Sequence, residues 1–290
     1  MRIAWSRGTT GKVFLAGAGP GDPELLTLKV HRLLRESNAV LHDDLVPAEI
    51  LSLAGPQAIA VNVGKRCGKK NITQQGINAL MVEAARNGLQ VLRLKSGDPT
   101  IFGRLNEEID ALSAAGVEFE VVPGITAGAA AAASLSVSMT DRRASSRVVI
   151  VSGHHAHSEP SAENYDWRAV TRNDETVVVY MPGGELSNLS SQLKAAGLLD
   201  EVPCAIVSRA GTVHQENHWT TLGGLSSAPV LEPPTILLIG KSLANAAMRA
   251  REAIRRAPDA EEHVRSLAQL IDNDAFDEWR KDQDQRRVAL

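Results

Sequence analysis

The first half of the chain repeats one unit: a short apolar segment, a turn, and then a helical pattern of apolar residues. Such alternation is typical of a parallel β-sheet with helices on its faces. The carboxyl ends of parallel strands meet at one edge of the sheet, and open α/β sheets bind ligands there. We therefore predict that the turns after the strands share one rim. These turns are Gly19–Gly21, Asp43, Gly64-Lys65, Gly97-Asp98 and Thr126.

The second half of the chain has a different order of elements. After a hinge at 139–146, strand patterns at 147–151 and 176–181 precede a helix. Three further strand patterns then follow with little helix between them, which favours a mixed sheet. The predicted division is an α/β domain at 12–140, a second α/β domain at 145–245 and a charged helical tail at 246–290.

Composition argues against several classes of protein. The net charge of −3 and the 3% of aromatic residues disfavour a nucleic-acid reader. Cys67 and Cys204 lack metal spacing and are too few for a disulfide framework, which fits a reduced cytoplasmic setting. For the histidines at 154, 155 and 157 we favour a polar loop without metal, because no carboxylate or cysteine completes a ligand set. No apolar run approaches the length of a membrane span.

Several polar groups fall on the predicted rim, and each has two interpretations. The adjacent carboxylates of Asp43 and Asp44 could supply a base or form a solvated turn. The cations that follow Gly64 could face an anion or lie in solvent. The Gly-Asp-Pro turns, which include Asp22 and Asp98, could contact a ligand or only cap helices. The glycines at 17, 19 and 21 do not form the dinucleotide fingerprint, so we infer no NAD.

Several motifs occur together and in order. They are Gly17-Ala-Gly-Pro-Gly-Asp-Pro-Glu-Leu-Leu-Thr-Leu-Lys29, Asp43-Asp-Leu-Val46, Val63-Gly-Lys-Arg66, Gly97-Asp-Pro99, Phe102-Gly-Arg104, Val122-Pro-Gly-Ile-Thr126 and Tyr180-Met181. On these motifs the chain resembles the tetrapyrrole methylase family over roughly 12–240. The Val-Gly-Lys-Arg element, followed by Ile72-Thr-Gln74, favours the branch that methylates uroporphyrinogen III.

The resemblance implies a fold, a reaction and a partner. The fold has two α/β domains, with a mainly parallel sheet in the first, a mixed sheet in the second and a ligand cleft between them. The reaction is S-adenosylmethionine-dependent C-methylation of uroporphyrinogen III at C2 and C7, which gives precorrin-2 and S-adenosylhomocysteine without a metal. The resemblance also implies a homodimer that binds a small-molecule tetrapyrrole, and we expect no nucleic acid, membrane or fused dehydrogenase or chelatase domain as partner.

The resemblance also assigns roles to residues. Asp43 matches the proton acceptor and Lys65 the proton donor. The S-adenosylmethionine site is implied at Pro20, Ser96, Gly97, Asp98, Ile101, Thr126, Ala127, Met181 and the backbone of Ala210. The tetrapyrrole is an octacarboxylate, so cations should line its pocket. The candidates are Arg66, Lys69, Lys70, Arg104, Arg142 and Arg143.

The chain departs from the family pattern at five places. These are His42 in place of tyrosine, Ser96 in place of glycine, Thr100 in place of an aromatic residue, Leu105-Asn106 in place of two glycines and Asp141 in place of histidine. Three alternatives therefore stay open. They are a precorrin methylase acting later in the corrin pathway, an RNA or diphthine methylase, which the Gly-Lys-Arg element disfavours, and a non-catalytic binder of a tetrapyrrole or S-adenosylmethionine.

Overall fold

The structure is a computed structural model that describes residues 11–64, 72–153, 167–170, 174–184 and 186–256. The described residues divide into two units, one ending at Ala244 and the other beginning at Asn245. The first unit contains two five-stranded sheets. The first sheet is parallel throughout and the second is mixed. The predicted fold class, two α/β domains with these two kinds of sheet, is thereby confirmed.

The first sheet has the strand order β3-β2-β4-β1-β5. Its strands are β1 (Val13–Gly17), β2 (Ala39–His42), β3 (Ile59–Asn62), β4 (Val91–Lys95) and β5 (Phe119–Val122). Because all the strand pairs are parallel, the predicted turns do lie along one edge of this sheet as far as they are described, while Lys65 of the turn after β3 lies outside the described residues. The edge carries the turns after β1, β4 and β5 side by side, with those after β2 and β3 beyond β4.

Five helices connect or follow these strands: α1 (Leu28–Glu36), α2 (Ala48–Leu51), α3 (Gln74–Arg86), α4 (Leu105–Ala114) and α5 (Ala127–Ser134). A helix cap, one of the two interpretations of Asp22, is confirmed for a short 3₁₀ turn but not for α1. The Asp22 carboxylate accepts a hydrogen bond from the Glu24 amide and begins only a short 3₁₀ turn. Leu26 then adopts an extended conformation, so Thr27 becomes the residue that caps α1.

Both faces of the first sheet are covered by apolar layers. On one face Leu33 and Leu34 of α1 pack with Leu92 and Leu94 of β4. On the other face Met81 of α3 lies in a second cluster, the members of which include Leu15, Val91 and Leu112. A central strand that is covered on both sides should be apolar throughout. Strand β4 breaks this rule, since its two basic residues are also buried.

The second sheet has the order β6-β7-β10-β8-β9. Its strands are β6 (Arg147–Ser152), β7 (Glu175–Tyr180), β8 (Pro203–Ser208), β9 (Glu216–Thr221) and β10 (Thr235–Ile239). Strands β6 and β7 are parallel, whereas β10 runs antiparallel to both of its neighbours. The helices α6 (Trp167–Val170) and α7 (Leu186–Ala195) follow β6 and β7 in the chain. One face of the sheet packs against Leu189 and Leu193 of α7.

The other face of the second sheet packs against α5. Ala130, Ala131 and Ala132 of this helix lie in one apolar cluster with Val178, Tyr180 and Ala205 of the sheet. The small side chains let the helix backbone approach the strands closely. A Cβ on Gly128 would lie 2.8 Å from the Tyr180 hydroxyl and 2.9 Å from Val178 Cγ1. The alanine-rich run is therefore a packing element, as its composition predicts.

The last described helix, α8 (Ala244–Arg256), follows β10 and a short 3₁₀ turn in the chain. It is rich in basic residues, in agreement with the helical pattern that the sequence shows there. Across the described part of the chain, no helix has the length and apolar character that crossing a membrane requires.

Three glycines bring the ends of β1, β4 and β5 into close contact. A Cβ on Gly17 would lie 2.4 Å from the Gly97 carbonyl oxygen, and a Cβ on Gly124 would lie 2.4 Å from the same atom. Real Cβ atoms do not approach backbone this closely, so a side chain at either position would force the turns apart. Gly97 itself has φ +68°, a conformation that favours glycine.

We predict that Gly124→Ala lowers the free energy of unfolding by about 1–3 kcal/mol, the range of an overpacked core substitution. The reason is the contact between the new methyl group and the Gly97 carbonyl. Gly184→Ala is the matched control, because a Cβ there meets no atom within 4 Å among the described residues. Urea unfolding of both variants measures the difference, and equal midpoints for the two variants would contradict the prediction.

Candidate active site

A buried cluster of charged groups lies behind the rim turn after β2. Arg93 of β4 donates from Nη2 to Asp43 Oδ1 at 2.5 Å and from Nε to Glu108 Oε1 at 2.9 Å. Lys95, two residues along the same strand, donates to Glu108 Oε1 at 3.0 Å. The Asp43 carboxylate also faces the backbone amide of Ser96, at 3.4 Å from Oδ2. The four charged side chains, Asp43, Arg93, Lys95 and Glu108, are called the charge cluster below.

Burial decides the electrostatics of the charge cluster. Burial alone would lower the pKa of Arg93, but the charges of Asp43 and Glu108 more than offset it, and the pKa is raised. The pKa of Lys95 is lowered, mainly by burial and also by repulsion from Arg93, which Glu108 and Asp43 only partly offset. Glu108 Oε2 is buried and accepts no hydrogen bond from the described residues.

The turn after β4 is tied to the turns after β1 and β5. Gly19 and Gly97 exchange backbone hydrogen bonds of 3.1 Å and 2.8 Å. The Asp98 carboxylate accepts from the Gly124 amide at 2.9 Å and from the Thr100 amide at 2.8 Å. The sequence treats Asp22 and Asp98 as the same device, yet Asp98 bridges two rim turns and caps no helix. Its neighbour Thr100, one of the departures from the family pattern, supplies part of this bonding.

Tyr180 connects the start of α5 with the end of β7. Its hydroxyl accepts from the Gly128 amide at 2.8 Å and lies 2.6 Å from Thr126 Oγ1. Its ring contacts that of Phe102, with 5.2 Å between the ring centroids. Met181, which follows Tyr180, has φ +51°, and Phe102 has φ +52°. Non-glycine residues in this conformation are strained and cluster at functional sites.

The structure brings together the residues that the resemblance assigned to S-adenosylmethionine. Pro20 adjoins Gly211, because a Cβ on that glycine would lie 2.5 Å from Pro20 Cγ. Gly97 adjoins Thr126-Ala127, with 3.8 Å between its ideal Cβ position and the Ala127 amide nitrogen. Ile101, Ala127 and Ala210 share one apolar cluster with Tyr180.

Only some of the residues predicted for catalysis and substrate binding lie within the described part of the chain. Asp43 is described, and its side chain is 28% exposed. Lys65, Arg66, Lys69 and Lys70 lie outside the described residues. Arg104 and Arg143 are exposed and paired within the chain, the first with Glu107 and the second with Asp141. Arg142 is exposed as well.

The Arg143 pair involves a second departure from the family pattern, Asp141. The Asp141 carboxylate accepts hydrogen bonds from the side chain and the backbone of Arg143, and these lower the pKa of Asp141 to about 2. Asp141 is therefore ionised at every physiological pH. Arg143 in turn forms an ion pair with a carboxylate of its own chain.

Sequence reasoning missed Arg93, Lys95 and Glu108, and it used Tyr180 as part of a motif without giving it a role. The signal for the first two was present, because cations at alternate positions of a strand point to the same face, and Leu92 and Leu94 marked the strand as buried. Two buried cations require buried anions. Nothing in the sequence identified Glu108 among several acidic residues of α4 as their partner.

Other candidate sites receive no support. No group of three or more histidine, cysteine or acidic side chains within the described ranges is arranged to hold a metal ion. The histidines at 154, 155 and 157, and Cys67, lie outside those ranges. Cys204 is buried, and burial raises the pKa of its thiol, so it is a core residue and not a nucleophile.

Comparisons with known proteins agree with this geometry. The model of the tetrapyrrole (corrin/porphyrin) methylases matches residues 12–226. The chain belongs to the tetrapyrrole methylase family. The predicted family and the enzyme class, a methyltransferase, are thereby confirmed.

Three relatives show the range of the family around this chain. A uroporphyrinogen-III C-methyltransferase of Synechocystis is 39% identical over 83% of this chain and 92% of that protein. A siroheme synthase of Psychrobacter is 42% identical over 80% of this chain, which spans 48% of that protein. A uroporphyrin-III C-methyltransferase of Thermus thermophilus, solved with S-adenyl homocysteine, is 35% identical, with a TM-score of 0.69 over 80% of this chain and 93% of that one.

We predict that Asp98→Ala costs about 1–3 kcal/mol of stability, because it leaves the Gly124 amide without its acceptor. Asp22→Ala is the matched control in the other Gly-Asp-Pro turn, because among the described residues the Asp22 carboxylate accepts only from the Glu24 amide. We expect a smaller loss there. Thermal unfolding of the two variants compares them, and a loss at Asp22 as large as that at Asp98 would refute the bridging role.

Proposed function

We propose that this chain is an S-adenosylmethionine-dependent methyltransferase that methylates uroporphyrinogen III at C2 and C7 and produces precorrin-2. The observation that carries the proposal is Asp43, a carboxylate at the rim whose orientation is fixed by Arg93 and which faces the Ser96 amide. Relatives named for uroporphyrinogen-III methylation cover most of this chain and support the same substrate.

The residues present fit S-adenosylmethionine. The close contact of Gly17, Gly97 and Gly124 exposes backbone groups of three turns where side chains would otherwise intrude. Met181 and Phe102 add exposed apolar surface, 48% and 47% exposed respectively, beside these turns. We propose that the group is held by Pro20, Ser96, Gly97, Asp98, Ile101, Thr126, Ala127, Met181 and Ala210. When bound, it supplies an electrophilic methyl group.

The chain's own residues would orient the substrate and move protons. Asp43 is the proposed acceptor of the proton that the cationic, methylated tetrapyrrole loses from a ring nitrogen or a neighbouring methylene bridge, since the methylated carbon itself carries no hydrogen. It is ready to act because its carboxylate is already held at a fixed position. Lys65 is the proposed proton donor. For the substrate carboxylates we propose Arg66, Lys69, Lys70, Arg104, Arg142 and Arg143.

Family membership supports further proposals. The chain would act as a homodimer in the cytoplasm, without a metal, nucleic acid or membrane as partner. We also propose the domain boundaries predicted from the sequence, at 12–140, 145–245 and 246–290. Helix α5 then belongs to the first domain but covers a face of the second sheet.

The first test is an anaerobic incubation of the protein with S-adenosylmethionine and uroporphyrinogen III. Product mass should show a gain of two methyl groups. With Asp43→Asn we expect kcat to fall by about 100-fold or more while KM changes little, since a general base contributes 10²–10⁴-fold. Asp44→Asn is the control, because that carboxylate accepts from Asn62 and lies outside the charge cluster.

The outcomes of this test separate the alternatives. Wild-type kcat in Asp43→Asn would remove Asp43 as the proton acceptor. Binding of S-adenosylmethionine without methyl transfer would contradict uroporphyrinogen III as substrate and direct the search to the precorrins. If the protein neither bound S-adenosylmethionine nor transferred a methyl group, the proposed reaction would be rejected as a whole.

A second prediction concerns Arg143 and its partner. If Arg143 binds a substrate carboxylate, Asp141→Asn should lower KM and Arg143→Gln should raise it, each by about two- to fivefold, which corresponds to the energy of an exposed ion pair. Arg32→Gln, which breaks the exposed pair with Glu36 on α1, is the control. Unchanged KM in Arg143→Gln would exclude this arginine from the substrate pocket.

A further inference from the structure

The charge cluster is costly to keep in a protein core. Arg93 and Lys95 are 3% and 4% exposed at their side chains, and Glu108 is fully buried. Replacing buried ion pairs by apolar residues of similar volume is often neutral or stabilising, so stability does not account for them. Glu108 also leaves one buried oxygen without a hydrogen bond from the described residues. These features indicate a role other than packing.

Only one member of the charge cluster reaches solvent. Asp43 is 28% exposed, whereas the other three members are nearly or fully buried. Whatever the cluster does to a ligand it must therefore do through Asp43. This carboxylate lies on the rim, where its Oδ2 faces the Ser96 amide of the turn after β4.

The geometry of Arg93 is suited to holding a carboxylate still. Its guanidinium contacts Asp43 with one nitrogen and Glu108 with another, while the third faces the carbonyl oxygens of Leu41 and Leu94 at 3.3 Å and 3.4 Å. A planar guanidinium presents its donors in a fixed fork, so fixing Glu108 on one side fixes Asp43 on the other. Lys95 donates to the same oxygen of Glu108, Oε1, and the Gln74 side-chain amide also faces this oxygen at 3.4 Å.

The charges of the cluster balance. It contains two cations and two anions, so the three partners of Asp43 together carry one positive charge, and removal of either inner partner changes that surrounding charge in opposite directions. Without Arg93 the cluster has an excess negative charge, and without the Glu108 charge it has an excess positive one. The other charged and polar groups near Asp43 are His42, the ring nitrogen of which lies 3.0 Å from the Asp43 carbonyl oxygen, and Asp44.

We propose that Arg93 and Glu108 are positioning residues, which fix the orientation of the Asp43 carboxylate and set the charge that surrounds it. The proposal deepens the proposed function and rests on it only for the measurements of turnover. The second member of the pair, Glu108, acts through Arg93 and never touches the substrate.

The test uses Arg93→Gln, Glu108→Gln and the double variant in the full chain. The readouts are the pH profile of kcat and, without any substrate, the titration of the Asp43 carboxyl by ¹³C NMR, with Asp43→Asn to assign the resonance. Lys12→Gln and Glu118→Gln are matched controls, because this exposed pair undergoes the same changes of charge at the opposite end of β1.

Each single variant should shift the acidic limb of the kcat–pH profile and the NMR titration together. We expect the shifts in Arg93→Gln and in Glu108→Gln to have opposite directions. Arg93→Gln should shift both to higher pH and Glu108→Gln to lower pH, each by about one unit, since a neighbouring charge shifts a carboxyl by 1–3 units. In the double variant the charge is balanced again, so the titration should return toward that of the wild type. Its kcat should stay at least tenfold low, because the orientation is lost. The controls should shift neither readout.

The proposal would be overturned if the two single variants shifted the pH profile and the NMR titration in the same direction, or shifted neither. A merely structural role does not predict opposite shifts for the two variants. Should a single variant fail to fold, the double variant decides, because wild-type kcat there would mean that Asp43 works without either positioning residue. Opposite NMR shifts in a protein that methylates nothing would leave the positioning intact and reject only the proposed function. Methyl transfer in a protein whose Asp43 titration does not change in the variants would support the proposed function and reject the positioning role.

Discussion

The close contact of three backbone turns is the constraint on which the rest of the site depends. Gly17, Gly97 and Gly124 meet at a distance that no side chain would allow. Because the turns touch, Gly19 can pair with Gly97, and Asp98 can reach the Gly124 amide. The same approach sets Thr126 beside the β4 turn. A rim built from separate loops thus becomes one surface, with hydrogen-bonding groups of the backbone held in fixed positions.

The sequence predicts this rim because its signals are local. Each strand is a short apolar run and each turn carries glycine or a short polar residue, so the order of elements and the edge on which the turns meet follow from periodicity and the rules for parallel sheets. Asp22 shows the limit of local signals, because it caps a short 3₁₀ turn and not α1. Asp22 and Thr27 are both good capping residues, and the extended conformation of Leu26 decides between them.

The interior of the site could not be predicted in the same way. Arg93 and Lys95 are visible as cations in an apolar strand, but their partners come from the turn after β2 and from α4, which are distant in sequence. Pairing over such distances depends on the register between β2 and β4, which no short motif encodes. Tyr180 is similar, since its hydroxyl acts on α5 from another sheet.

Burial separates Arg93 from two of the arginines proposed to bind the substrate, and gives the two groups different chemistry. Arg104 and Arg143 hold their acidic partners at the surface, where an ion pair is weak and is screened by salt. A substrate carboxylate can replace such a partner at little cost. Arg93 is buried, and removing one partner of a buried pair costs about 3–5 kcal/mol. An anionic ligand can therefore recruit these exposed arginines without drawing Arg93 away from Asp43. The proposed catalytic carboxylate thus keeps its cation even beside a substrate that carries many competing carboxylates.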